Sequence, residues 1–385
     1  MKSSVTNITK FYVWKFLEGF EFIYAIKIIY LVSIGITVSQ LALFASITAV
    51  TSILFEIPTG FIADKFSRKL AISLGFLSQS LAFLVIAFVS NFYTLIPVAV
   101  LLGLGAAFIS GSDVSLIFDE LKTDRKGGDY LKVSSHGTSV KTVSGAIATF
   151  LGPLLFVVNH QLPFILTSIV YFVLALFVLT IKERKSSHEV QRVVRIFDGI
   201  KNVLQFKPIL LIALIDALLL IFVNIFYNIL YFPKITSLGF PILYLGVLDA
   251  INLILMTGML TILPKLNFKK DKTAIVVYSL LAACVFIVFS NVYNLLPAVI
   301  FGVAFDLIWA ARLHIIPTIT NRFFASVDRA VSLSSISFVS KLGAALLLPI
   351  TVAIFNISYW FTLVPLALVC LLLYKYPNYQ KENNR

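Results

Sequence analysis

Charge is scarce in this chain: 13% of its 385 residues are Asp, Glu, Lys or Arg, whereas 59% are hydrophobic. Soluble domains carry about 25% charged and roughly 45–50% apolar residues, so a water-soluble chain of this length has too little polar surface to cover its apolar one. Cysteine is also sparse. Cys284 and Cys370 are the only two; both lie inside apolar runs, too far apart for a metal or redox spacing, and read as free buried thiols. No glycine-rich loop with its lysine cradles a phosphate, no His and Cys set has metal-ligand spacing, and no nucleophile stands beside a base. These absences argue against an enzyme or an ATP-driven pump and imply no cofactor or metal. The net charge of +13 suggests nucleic acid at first sight. Lys and Arg, however, come in short clusters between apolar runs, without a basic groove interleaved with stacking aromatics, so no nucleic-acid partner is expected. The lipid bilayer is.

What the chain has in quantity is long apolar runs. A membrane-spanning helix needs about 20 mostly apolar residues, and about twelve such runs begin near Phe11, Leu41, Leu70, Thr94, Gly137, Leu162, Pro208, Ile242, Thr273, Leu295, Val331 and Ser358. The first is too long and too charged for a cleavable signal peptide, and no small-residue cleavage site follows it. Lys182 to Lys207 is the longest polar stretch and divides residues 1–181 from 208–385. Within it Val190, Val193, Val194, Phe197, Ile200 and Leu204 recur at helical spacing, which predicts an amphipathic helix on the membrane surface, a flexible linker being the other reading. Alternate loops carry Lys65, Arg68 and Lys69; Lys122, Arg125, Lys126 and Lys132; Lys182, Arg184, Lys185, Arg192 and Arg195; Lys265, Lys269, Lys270 and Lys272; Arg322 and Arg329. The intervening loops have little beyond Lys234, so the basic loops and both termini are placed in the cytoplasm. Residues 90–97 (SNFYTLIP) are echoed by 290–297 (SNVYNLLP) at an offset of 200 (290 − 90), which also sets Lys265 opposite Lys65 and Lys269 opposite Lys69. A parallel repeat of two halves is implied.

Seven ionisable residues fall well inside the runs: Glu18, Glu21, Lys27, Asp113, Asp216, Asp306 and Arg312. At roughly 2.5–3.5 kcal/mol per charge at mid-membrane, exposing them to lipid would cost on the order of 20 kcal/mol, so they face protein or water. Glu18 and Glu21, three apart, share a helix face. Two carboxylates at close quarters resist double ionisation and can take up a proton near neutral pH; both wetted and ionised at the cytoplasmic end is the alternative. Lys27 either neutralises one of them or snorkels outward. Asp113 lies about 9 Å deeper than Asp119 at 1.5 Å per residue, which makes it the better candidate for proton or substrate binding. Arg312 either pairs with Asp113 or Asp306 or binds an anionic group. His314 is read as solvated, Asp249 and Asn252 as an extension of the polar network, and Lys141 and Lys341 as facing a cavity. Tyr24, Tyr30, Tyr227, Tyr231 and Trp309 suit a pocket for flat or cationic organic molecules.

Glu56 to Lys69 joins an apolar helix to glycine, aspartate and a basic cluster: Gly60, Asp64, Lys65, Arg68 and Lys69. This stretch resembles the loop between helices 2 and 3 of major facilitator superfamily transporters, with Ser67 where glycine is usual. The resemblance implies an all-α fold of twelve membrane-spanning helices in two six-helix halves. It places the seven ionisable residues on helices 1, 4, 7 and 10, which line that family's central cavity. It also assigns Arg68 with Asp119, and Asp64 near helix 11, to gating. Gly103 to Ala107 resembles the family's helix 4, though Ala99 replaces the arginine of many drug antiporters. Gly152-Pro153 resembles their helix 5 bend, with Phe156 and Val157 where paired glycines are usual. The function implied is proton-coupled export of a small amphipathic drug or natural product by a monomer in the cytoplasmic membrane. The alternatives are import of a small nutrient, for which Arg312 with Lys27 would suit an anionic one, and a non-transporting membrane receptor or assembly partner.

Overall fold

A computed structural model describes residues 2–110, 112–123, 130–183, 205, 207–262, 271–320 and 329–357. No strand occurs among them. The helices are α1 (Lys2–Glu18), α2 (Lys27–Ser33), α3 (Val38–Lys65), α4 (Arg68–Ile86), α5 (Phe92–Ile109), α6 (Ser112–Thr123), α7 (Tyr130–Val158) and α8 (Leu162–Leu179). They continue as α9 (Lys207–Ile225), a π-turn (Phe226–Leu230), α10 (Tyr231–Ser237), a 3-10 turn (Ile242–Tyr244), α11 (Leu245–Ile262), α12 (Asp271–Asn291), α13 (Leu295–Thr320) and α14 (Arg329–Ile357). The expected surface helix of 182–207, the loop carrying Lys265 and Lys269, and the run from Ser358 lie outside the described residues.

Helix starts follow from capping chemistry. Thr37 and Gln40 form a reciprocal capping box at α3, and Asn91 accepts from the Thr94 N–H at the start of α5, satisfying donors that have no partner within the helix. Two expectations of continuity are overturned. The first span breaks after Glu18 into a turn over 19–26 before α2, and the fourth breaks at Ser110, between α5 and α6. Glu18 and Glu21 therefore do not share a helix face. The seventh span is interrupted too, by its π-turn. The first and seventh spans each end in a glycine with positive φ, Gly35 at +89° and Gly239 at +98°, a conformation that residues with a Cβ rarely adopt.

The chain divides into two compact units, one made of 1–191 with 240–250 and the other of 192–239 with 251–385. In the first unit α3 packs on α5, α4 on α5 and α8, and α1 on α7. In the second, α9 packs on α14 and α12 on α13. The pairing of first with fifth span and of third with fourth thus recurs inside each unit, as a parallel repeat requires. Small polar residues allow the close approach of α4 and α8: the Ser80 hydroxyl donates to the Ser168 carbonyl and the Ser168 hydroxyl to the Ser80 carbonyl, each at 2.8 Å. Leu54, Phe88, Leu176 and Ile254 stand exposed on the outside, the inverse of a soluble surface. Six described helices are long and apolar enough to cross a membrane.

Candidate functional site

In the first unit the break after Glu18 builds a charge cluster. Glu18 Oε2 accepts from Lys15 Nζ at 2.8 Å and Oε1 from Lys141 Nζ at 2.7 Å, while Lys15 Nζ also lies 3.4 Å from Asp113 Oδ2. The side chains of Glu18 and Lys15 are 10% and 12% exposed. Lys15 further lies over the Trp14 ring, 4.9 Å from its centroid. The turn that presents Glu18 is wedged against α7 and α8. The Phe22 N–H donates to Thr167 Oγ1 at 3.1 Å, and Tyr171 OH donates to the Glu18 carbonyl at 3.3 Å. Gly152 on α7 allows this contact, since a Cβ there would overlap the Phe22 carbonyl, whereas one on Gly145 would stand at an ordinary 3.6 Å from the Gly19 carbonyl. Gly152, expected with Pro153 to form a bend, is a seat for the unwound segment within an uninterrupted α7.

The structure thus joins Glu18 to Asp113 through Lys15 and sets Glu21 in the turn beyond that pairing. Lys27 opens α2, and Tyr24 is exposed within the break. Tyr30 is buried and donates to the Ala87 carbonyl at 3.1 Å. Sequence reasoning missed Lys15, although its position three before Glu18 was the available signal.

At the signature stretch, α3 continues through Gly60 and Asp64 to Lys65, leaving a connection of only Phe66 and Ser67. The apolar helix thus ends inside the Glu56–Lys69 stretch, at Lys65, and holds Pro58 within it without ending there. Arg68 Nε lies 3.5 Å from Asp64 Oδ1, and its Nη1 donates to the Ser115 carbonyl of α6 at 3.3 Å. Arg68 thus reaches the helix that carries Asp119, whose side chain is outside the described residues. Lys65 Nζ lies over the Phe61 and Phe66 rings at 5.7 and 5.6 Å. Lys69 Nζ donates to the carbonyls of Leu179 and Ile181.

In the second unit the π-turn directs Tyr227 OH to donate to Asp306 Oδ1. Asp216 and Asp306 are 4% and 5% exposed. Phe226 stacks on Phe305 at 4.1 Å and on Tyr231 at 4.9 Å, and Asn252 Nδ2 donates to Tyr231 OH at 3.2 Å. Trp309 and the backbone of Arg312 belong to α13; the Arg312 and His314 side chains are outside the described residues.

Residues 15–346 match the sequence profile of the Major Facilitator Superfamily. A curated relative, described as an uncharacterized MFS-type transporter YxaM of Bacillus subtilis (strain 168), is 23% identical over 260 residues. That alignment covers 64% of this chain and spans 63% of the relative's length. Among solved structures, the nucleoside transporter NupG superposes with a TM-score of 0.70 at 13% identity, covering 98% of both chains. A bacterial homologue of the human lysosomal transporter Spinster, inward-facing and unoccupied, does so with a TM-score of 0.72 at 15% identity, covering 91% of this chain and 81% of that one. At such identities the likeness is one of fold, and that fold is the all-helical one of twelve spans.

Proposed function

Because the chain belongs to the major facilitator superfamily, a family of multi-pass membrane transporters and not of enzymes, we propose that it exports a small amphipathic, cationic organic compound in exchange for protons by alternating access. The observation that carries this reading is the Lys15, Glu18, Asp113 and Lys141 cluster. With both carboxylates ionised its charge is zero, two lysines against two carboxylates. A proton on Asp113 leaves one positive charge in excess in a poorly solvated place, where opposite charges about 4 Å apart attract by roughly 4 kcal/mol. Lys15 then rests on Glu18 alone. A cationic compound near the cluster and a proton on Asp113 therefore oppose one another, and mutual exclusion of two ligands is what an exchanger needs. The proton is assigned to Asp113, whose carboxylate lies 3.4 Å from the lysine it shares with Glu18.

The reading places the protein in the cytoplasmic membrane as a monomer with both termini inside, following its basic loops, with halves 1–181 and 208–385 joined by 182–207. Arg68, Asp64 and Asp119 form its cytoplasmic gate. Uptake of an anionic solute is the second reading, favoured by Lys141, whose side chain is 45% exposed.

The test uses proteoliposomes of the purified protein loaded with a pH dye and challenged with lipophilic cations and neutral antibiotics. Export predicts substrate-triggered proton movement that disappears in Asp113→Asn. Proton movement that persists in Asp113→Asn would remove that residue's role. Uptake of anions abolished by Lys141→Ala would replace the export reading with the second one.

A further inference from the structure

Glu183 lies just past α8, more than a hundred residues from the signature stretch, yet its carboxylate takes three donors from it. The Ser67 hydroxyl donates to Oε2 at 2.5 Å, the Arg68 N–H to Oε1 at 2.7 Å and the Lys69 N–H to Oε2 at 3.3 Å. The two amides belong to the first turn of α4, where N–H groups have no partner in their own helix and the dipole favours an anion. The segment bearing Glu183 is itself held from two sides. Asn7 Nδ2 donates to the Lys182 carbonyl at 2.9 Å, and Asn7 Oδ1 accepts from the Lys182 N–H at 3.3 Å. Lys10 Nζ donates to the Thr180 carbonyl at 2.6 Å, and Lys69 Nζ returns to Leu179 and Ile181.

The geometry points to Glu183 as a positioning residue for Arg68, acting with Ser67 as a clamp that fixes the connection between α3 and α4. The main-chain amide of Arg68 is held on Glu183 while its guanidinium reaches Asp64 and the Ser115 carbonyl. Moving that amide moves the side chain's reach to α6. Ser67 stands where the resemblance has glycine, and its hydroxyl performs two tasks a glycine cannot: it donates to Glu183 and accepts from the Leu70 N–H at 3.3 Å. The transport consequence rests on the gating role proposed for Arg68; the clamp itself does not.

Hydrogen exchange of the full-length protein in lipid nanodiscs separates the two, because it needs neither substrate nor flux. Glu183→Gln keeps size and removes charge, and Ser67→Ala removes the hydroxyl. Each is expected to speed exchange of the Arg68 and Lys69 amides by about tenfold, a measure of local opening. The double variant should exchange no faster than the faster single one, because both changes open one clamp. Exchange within about twofold of the parent in Glu183→Gln, or a double effect equal to the product of the single ones, overturns the inference. In the pH-dye assay Glu183→Gln should slow proton movement and add nothing to Arg68→Ala. Faster exchange with undiminished proton movement in both variants upholds the clamp and refutes the gate.

Discussion

Replacing Gly152 with alanine tests how the unwound first span is held. A Cβ at Gly152 would stand 3.0 Å from the Phe22 carbonyl carbon and nearer still to its oxygen, where carbon and oxygen normally keep roughly 3.3–3.6 Å apart. The Phe22 carbonyl has little freedom to retreat: its own N–H is held by Thr167 Oγ1, which in turn donates to the Pro163 carbonyl at 2.8 Å. Over-packing of this kind costs typically 1–3 kcal/mol, and backbone on the receiving side places the variant near the upper end, about 3 kcal/mol. Gly145 lies seven residues earlier on the same face of α7 (152 − 145), and a Cβ there meets the Gly19 carbonyl at an ordinary 3.6 Å. Thermal unfolding in detergent should therefore show Gly152→Ala clearly less stable than the parent and Gly145→Ala within about 0.5 kcal/mol of it. Pro153→Ala, which adds no atom facing the Phe22 carbonyl, should be milder than Gly152→Ala. Equal stability of Gly152→Ala and Gly145→Ala would refute the close-approach argument; a larger loss in Pro153→Ala would return the site to a bend.

Removing Glu18 leaves two lysines beside one carboxylate, and breaking a buried pair costs roughly 3–5 kcal/mol. Glu18→Ala should lose about 3 kcal/mol by denaturant unfolding, since Lys141 can turn to water, and an unchanged midpoint would show the cluster to be already solvated. Tyr227→Phe removes a hydrogen bond to a buried carboxylate, an interaction worth about 1.5–3 kcal/mol; it should lower the thermal midpoint, whereas Tyr244→Phe, on an exposed ring, should not. Amides of the turn over 19–26 should exchange with water sooner than those in the middle of α3 when the protein is in a bilayer, and equal protection would mean that water does not reach the break.

The sequence made the spans legible because apolar length is a direct physical requirement. The runs expected near Leu162 and Leu295 begin at those residues in α8 and α13, and those near Leu70 and Thr94 begin two residues earlier in α4 and α5. Asp113 and Asp306 stand out as candidates because charge in an apolar run is costly wherever it occurs. The interruptions were less legible. Gly19 lies between Glu18 and Glu21 in a stretch whose apolar content continues, and what unwinds it is the tertiary seat on α7 and α8, which no local pattern records. Lys15 escaped notice for a related reason: it lies near the start of the run, where basic residues ordinarily face solvent, and only the fold sets it against Asp113, 98 residues away. Glu183 carried no signal, since its partners lie 114 to 116 residues distant. Ser67 did carry one, as the single departure from the signature.

Two separate costs fall in the same places. Unwinding a helix within a membrane strands backbone donors and acceptors, each costing several kcal/mol where lipid surrounds it. Burying a carboxylate or a lysine there adds a comparable amount. The first span is unwound directly after Glu18, the fourth breaks at Ser110, one helical turn before Asp113, and the seventh takes its π-turn at Tyr227, the partner of Asp306. Stability alone would favour continuous apolar helices at all three positions. Irregular backbone at membrane depth is tolerated where it is enclosed by protein or lines water. The charges supply the second half of the argument: enclosed and dry, Glu18 would need only one lysine, yet it holds two, and one of these, Lys141, remains half exposed. Under the proposed transport reading, a lysine so placed would stand at the edge of a wet path. Under that same reading, proposed for this chain, the breaks and the charges belong together, as the places where polar groups would meet a solute.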